Sequence, residues 1–168
     1  MSLAKYAVAA LAVLGLAAVV PVASAAPAVE RCHTNNVRAG FVAGDPGAGQ
    51  RGGQLVLVNQ GPATCTIHGF PGLQLQEAMG TPLPTTAVWD WPPVTPTTIT
   101  LLPNQAAATN LHWSVVPGDG DDQTGPCQPT ASHLAIIPPD ESVQTRMVWA
   151  YGPVCSQGRL HTSVFYRL

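Results

Sequence analysis

The chain predicts an all-β fold, an antiparallel β-sandwich stapled by two disulfides, and three observations carry that expectation. No segment keeps a 3.6-residue apolar period for three turns, because 17 prolines and 16 glycines interrupt nearly every window of a dozen residues. Short apolar runs recur instead between turn residues, nine of them in one domain. Four cysteines, an even number, all lie beyond the apolar leader.

The leader is residues 1–25. Lys5 precedes an apolar run from Tyr6 to Val20 that ends at Pro21, and Ala23 and Ala25 flank Ser24 as a small-residue cleavage site. A membrane span needs about 20 apolar residues, so this run reads as a secretory signal peptide rather than an anchor. Residues 26–168 then form a single secreted domain, large enough for one core.

The strand-like runs follow in order: 38–44, 53–59, 64–70, 73–76, 97–102, 106–116, 132–137, 146–152 and 159–167. Period-two alternation assigns their faces. Leu55 and Leu57 share one side, as do Cys65 and Ile67, with Thr66 and His68 opposite. In "AAATNLHWSVV", Thr109, Leu111, Trp113 and Val115 alternate with Asn110, His112 and Ser114, which makes Trp113 a core tryptophan.

Cys32, Cys65, Cys127 and Cys155 allow three connectivities. Pairing Cys32 with Cys65 and Cys127 with Cys155 is preferred, because each bridge then tethers one half of the chain. None of them has the Cys-x-x-Cys spacing of a zinc or thioredoxin-type site. Loss of Lys5 with the leader takes the formal charge from −2 to −3. That balance argues against a nucleic-acid partner, which needs a basic stripe.

The stretch from Gly47 to Leu75 carries a resemblance. Cys32, then Gly47 and Gly49, the strand Leu55 to Asn59, the step Cys65 to Ile67, and Gly69, Phe70, Pro71 and Gly72 together resemble an uncharacterised family of secreted actinobacterial domains, domain of unknown function 4232. "LLPNQAA" is similar to that family's strand, proline, turn and alanine step, with Asn104 where many members have glycine. Cys127 and Cys155 sit where a second pair is expected. The resemblance implies an immunoglobulin-like sandwich in an extracellular setting and implies no activity, since fold alone does not give function.

Catalytic patterns are weak. No Gly-x-Ser-x-Gly elbow occurs, and Ser132 and His133, adjacent on a strand, point to opposite faces. Glu77, Asp90, Asp140 and Glu141 supply carboxylates without a spacing that marks a glycosidase. The Asp119, Asp121 and Asp122 loop lacks the glycine and glutamate of an EF-hand and reads as a solvated turn tied down by Cys127. No cofactor is expected. The five histidines show no His-x-His or His-x-x-x-His spacing, so a copper or zinc site drawn from His68, His112, His133 and His161 requires neighbouring strands. His68 with His112 is the pair expected for it.

One segment stands apart. "VWDWPPVTP", residues 88–96, places Trp89 and Trp91 two apart around Asp90 and follows them with Pro92, Pro93 and Pro96. In an extended conformation both indoles project to one side, able to stack on sugar rings or grip an apolar peptide, with Asp90 accepting hydrogen bonds. The other arrangement folds the loop back so that the tryptophans cover an open end of the sandwich, which is where large aromatics usually go. The expected function is a non-catalytic binding or cell-envelope module with Trp89, Asp90 and Trp91 as ligand-binding residues and a cell-wall polysaccharide or an extracellular protein as partner. An exported metal-binding protein is the alternative.

Overall fold

The computed structural model describes residues 28–89 and 94–168, so the expected signal peptide, Asp90 and Trp91 lie outside the described residues. The described strands are β1 (Val37–Ala43), β2 (Gln50–Asn59), β3 (Cys65–Ile67), β4 (Gly72–Gln76), β5 (Thr86–Trp89), β6 (Ile99–Leu101), β7 (Ala106–Ser114), β8 (His133–Ile137), β9 (Thr145–Val148), β10 (Arg159–Thr162) and β11 (Tyr166–Arg167). One layer is a sheet in the order β1, β2, β7, β10, β5, with β11 also paired to β7. The opposite layer consists of the β3 and β6 pair and the sheet β4, β8, β9. This is the expected all-β, immunoglobulin-like sandwich.

Alternation builds the core between the layers. Leu55 and Leu57 of β2, Leu111 and Trp113 of β7 and Leu160 of β10 meet Ile67, Leu75, Ile99, Leu101, Leu134 and Ile136 from the facing strands in one apolar cluster. Leu55, Leu57, Leu101, Leu134, Ile136 and Leu160 are fully buried, each contributing about 1.5–3 kcal/mol over an exposed position. Trp113 is a core residue as expected, 1% exposed, with its ring 4.8 Å from Trp149 and 5.9 Å from Phe41.

Both disulfides take the expected pairing, Cys32 with Cys65 and Cys127 with Cys155. The first holds the segment before β1 against β3, where the Cys32 N–H donates to the Thr66 carbonyl at 2.8 Å. Asn59, at the end of β2, is 1% exposed and fully used: its Nδ2 donates to the carbonyls of Ala63 and Leu101, and its Oδ1 accepts the Gly61 N–H. An asparagine offers both donors and an acceptor in one plane, so it closes the turn into β3 and ties it to β6. Asn104 adopts φ 66°, the left-handed region that asparagine tolerates in place of glycine.

Three expectations are corrected. The run 159–167 is two strands, because Phe165 turns into the core at 2% exposure and Ser163 breaks the ladder by accepting the Asn110 N–H on its Oγ. The run 64–70 is strand only at Cys65–Ile67. The nine expected runs also omit a strand: Thr86–Trp89 forms β5, an edge strand that pairs parallel with β10, in a fold otherwise antiparallel among the described strands. Prolines at 82 and 84 precede this strand closely, as suits a protected edge.

Candidate functional site

β5 runs beside β10 with Thr86 opposite Arg159, Ala87 opposite Leu160, Val88 opposite His161 and Trp89 opposite Thr162. Trp89 is therefore held on the sheet edge by backbone pairing, yet its side chain is 64% exposed. One face of the indole lies on the Phe70 ring, with centroids 4.6 Å apart and planes within 14°. Trp89 itself is therefore both exposed and stacked, while the loop that follows it lies outside the described residues. The Phe70 ring is half-buried, and its turn is fixed where the Phe165 N–H donates to the Gly69 carbonyl at 2.9 Å.

The result is an indole braced on one side and open on the other. A ring already stacked on a neighbour has fewer rotamers to lose than a free one, which lowers the entropy cost of stacking on it. Phe70 belongs to the Gly-aromatic-Pro-Gly step, which the sequence reads only as a turn, and its contact with Trp89 joins segments that no local pattern links. Asp90 and Trp91, the other expected contact residues, lie outside the described residues.

The histidines group differently from the expected pair. His68 is exposed just past β3, whose ladder partner is β6, whereas His112 lies on β7 in the other layer. The strand neighbour of His112 is β10, which sets His161 directly opposite it, the two rings 4.7 Å apart and within 13° of parallel. These two line a polar depression of about 300 Å³ with Gln50, Ser114, Ser156 and Arg159. His133 begins β8 with its Nδ1 buried.

A second polar cluster ties the N-terminal segment to the loop between β8 and β9. Glu141 Oε1 accepts from Arg31 Nε at 2.6 Å and lies 3.0 Å from His33 Nδ1, and its Oε2 accepts from Thr34 Oγ1 at 3.3 Å. The Arg31 hydrogen bond outweighs partial desolvation and holds the Glu141 carboxyl below the usual glutamate range. A carboxylate so engaged is poorly suited to act as a general acid at neutral pH.

The aspartate loop is a fastening. Burial by itself would raise the Asp121 carboxyl's pKa, but N–H groups of Gly118, Ser156 and Gln157 and the Gln128 amide all donate to it, so the net effect is far below the usual carboxylate range. Asp122 accepts from the Thr124 and Gly125 N–H groups and the Thr124 hydroxyl. Asp121 also lies within 4.8 Å of the Cys127 and Cys155 sulfurs, but those are joined to each other and are not thiolate ligands.

Among the described residues, no helix is long and apolar enough to cross a membrane. No curated protein and no solved structure matches the chain. A family model does match, over residues 32–166, from the first cysteine to the penultimate strand residue. That span contains both disulfides, Asn59, the Phe70 turn and both opposed histidines, and the chain belongs to the family described as a domain of unknown function, DUF4232.

Proposed function

We propose that the protein is a secreted, non-catalytic binding module of the cell envelope whose contact surface centres on Trp89. The observation that carries this reading is the 64% exposed indole stacked on Phe70 at 4.6 Å. An exposed large aromatic normally loses free energy to water, and here the fold fixes it in place on a sheet edge instead of covering it. The geometry suits the apolar face of a sugar ring, which stacks flat on an indole while its hydroxyls stay solvated. Asp90, next in the chain, supplies a carboxylate for those hydroxyls.

Secretion fits two disulfides, which persist in oxidising compartments, and fits the leader read at residues 1–25. The partner is then a wall polysaccharide, with an extracellular protein as the other macromolecule such a platform could meet. Titration of soluble wall glycan fragments, followed by indole emission, tests the reading. The expected result is a saturable emission change that disappears in Trp89→Ala; a change of the same size in that variant would overturn it.

A further inference from the structure

We infer that His112 and His161 form a binding site for one divalent transition-metal ion, Cu²⁺ in preference to Zn²⁺, on the outer face of the main sheet. The two residues come from strands 49 positions apart in sequence and meet at one register position, His161 opposite His112. Their rings lie 4.7 Å apart and nearly parallel over the polar depression. Metal–nitrogen bonds of about 2.0–2.1 Å bring two adjacent ligating nitrogens to about 2.9 Å of each other in a tetragonal Cu²⁺ site and about 3.3 Å in a tetrahedral Zn²⁺ site. Rings already side by side reach either spacing by tilting towards each other about their side-chain torsions, while the β7 and β10 ladder holds both backbones still.

The surroundings favour a nitrogen and oxygen site. Gly52 is the residue opposite His112 on its other side, from β2. A Cβ there would come within 3.1 Å of the His112 Cβ and 2.9 Å of the Leu111 carbonyl, so the strand can pass this close to His112 only as glycine. Gln50, Ser114 and Ser156 line the same depression and offer oxygen atoms or hydrogen bonds to metal-bound water. No free cysteine exists among the described residues, which excludes a soft thiolate centre there. For imidazole donors the affinity order peaks at Cu²⁺.

Arg159 stands two residues before His161 on the same face and also lines the depression. Its positive charge opposes a bound cation and cannot ligate one. It therefore separates this site from the other use of the same residues, an oxyanion pocket in which Arg159 would be the principal donor. Replacing Arg159 has opposite effects in the two cases. Asp121 accepts the Ser156 N–H from behind the depression and has its oxygens engaged by four donors, so it is not a metal ligand here.

The test is calorimetric titration of Cu²⁺ and Zn²⁺ into the disulfide-bonded chain and into His112→Gln, His161→Gln, Arg159→Ala and His68→Gln variants. Expected are one Cu²⁺ per chain, weaker Zn²⁺ binding, at least tenfold loss of Cu²⁺ affinity in either His112→Gln or His161→Gln, no change in His68→Gln, and equal or tighter binding in Arg159→Ala. A Cu²⁺ electron paramagnetic resonance spectrum of the unaltered chain, which depends on no variant folding, is expected to show coupling to two imidazole nitrogens. Absence of Cu²⁺ binding, unchanged affinity in both histidine variants, or binding of inorganic phosphate that is lost in Arg159→Ala without any metal uptake would overturn the assignment.

Discussion

The Asp121 carboxylate accepts the backbone N–H of Ser156 at 2.6 Å, across 35 residues of chain. It accepts the next N–H, from Gln157, at 2.9 Å. Ser156, Gln157 and Gly158 all have positive φ, at 54°, 59° and 74°, so consecutive N–H groups point inward as a concave anion cradle. One carboxylate therefore holds a left-handed turn beside the Cys127–Cys155 bridge, directly before β10.

Asp121→Asn should cost about 1–3 kcal/mol, since an amide offers one acceptor oxygen where the cradle and Gln128 present four donors. The sign with pH follows from the depressed pKa. The carboxylate's contribution is complete above the ordinary value of 3.8 and is lost as pH falls through the lower folded value. Urea denaturation between pH 6 and pH 2 should show a steeper acid loss for the natural chain than for the variant.

Asn59→Ala should be among the most damaging single changes in the first half, costing about 2–4 kcal/mol. It removes three hydrogen bonds at a position 1% exposed, those to the Ala63 and Leu101 carbonyls and the one from the Gly61 N–H, which keeps only its 3.2 Å bond to the Asn36 carbonyl. Asn59→Asp should be no better, because a carboxylate would face two carbonyl oxygens. Thermal melts of the three proteins compare them.

Gly158→Ala combines two penalties. The residue sits at φ 74°, and an added Cβ would run into the Pro84 carbonyl on the segment leading into β5. Left-handed backbone alone costs about 1–2 kcal/mol for a residue with a side chain. A drop in stability beyond that value, measured in urea, would show the Pro84 clash as an additional cost.

Replacing Cys127 and Cys155 together by serine should remove about 3.5 kcal/mol on the chain-entropy estimate for a loop of 28 residues. The loss should fall mainly on β10 and on the β5 edge it carries. Hydrogen exchange would place it there if β10 amides lose protection while β2 and β8 amides keep theirs.

Much of this architecture is legible before any coordinates. Long alternating runs such as 53–59 and 106–116 expose their period directly, so Leu55, Leu57, Leu111 and Trp113 are readable as core. The exposed positions of His68 and His112 follow from the same rule. β5 is hidden because Thr86–Trp89 has no alternation and owes its conformation to backbone pairing with β10, over 70 residues away. For the same reason His161, rather than His68, is the partner of His112: face can be read from one strand, but the order of strands in a sheet cannot. The Phe70 brace under Trp89 and the Asp121 cradle are likewise contacts between distant segments, with no local pattern to announce them.

The most direct test of a Trp89-centred binding surface is co-sedimentation of residues 26–168 with cell-wall material from the source organism, alongside Trp89→Ala and Phe70→Ala. Trp89→Ala should fold normally, costing less than about 1 kcal/mol because the side chain is mostly in water. The expected result is that the natural protein pellets with the wall, Trp89→Ala stays in solution, and Phe70→Ala, with its indole unbraced, pellets only in part. Equal pelleting of the natural protein and Trp89→Ala, or no pelleting by either, would contradict it.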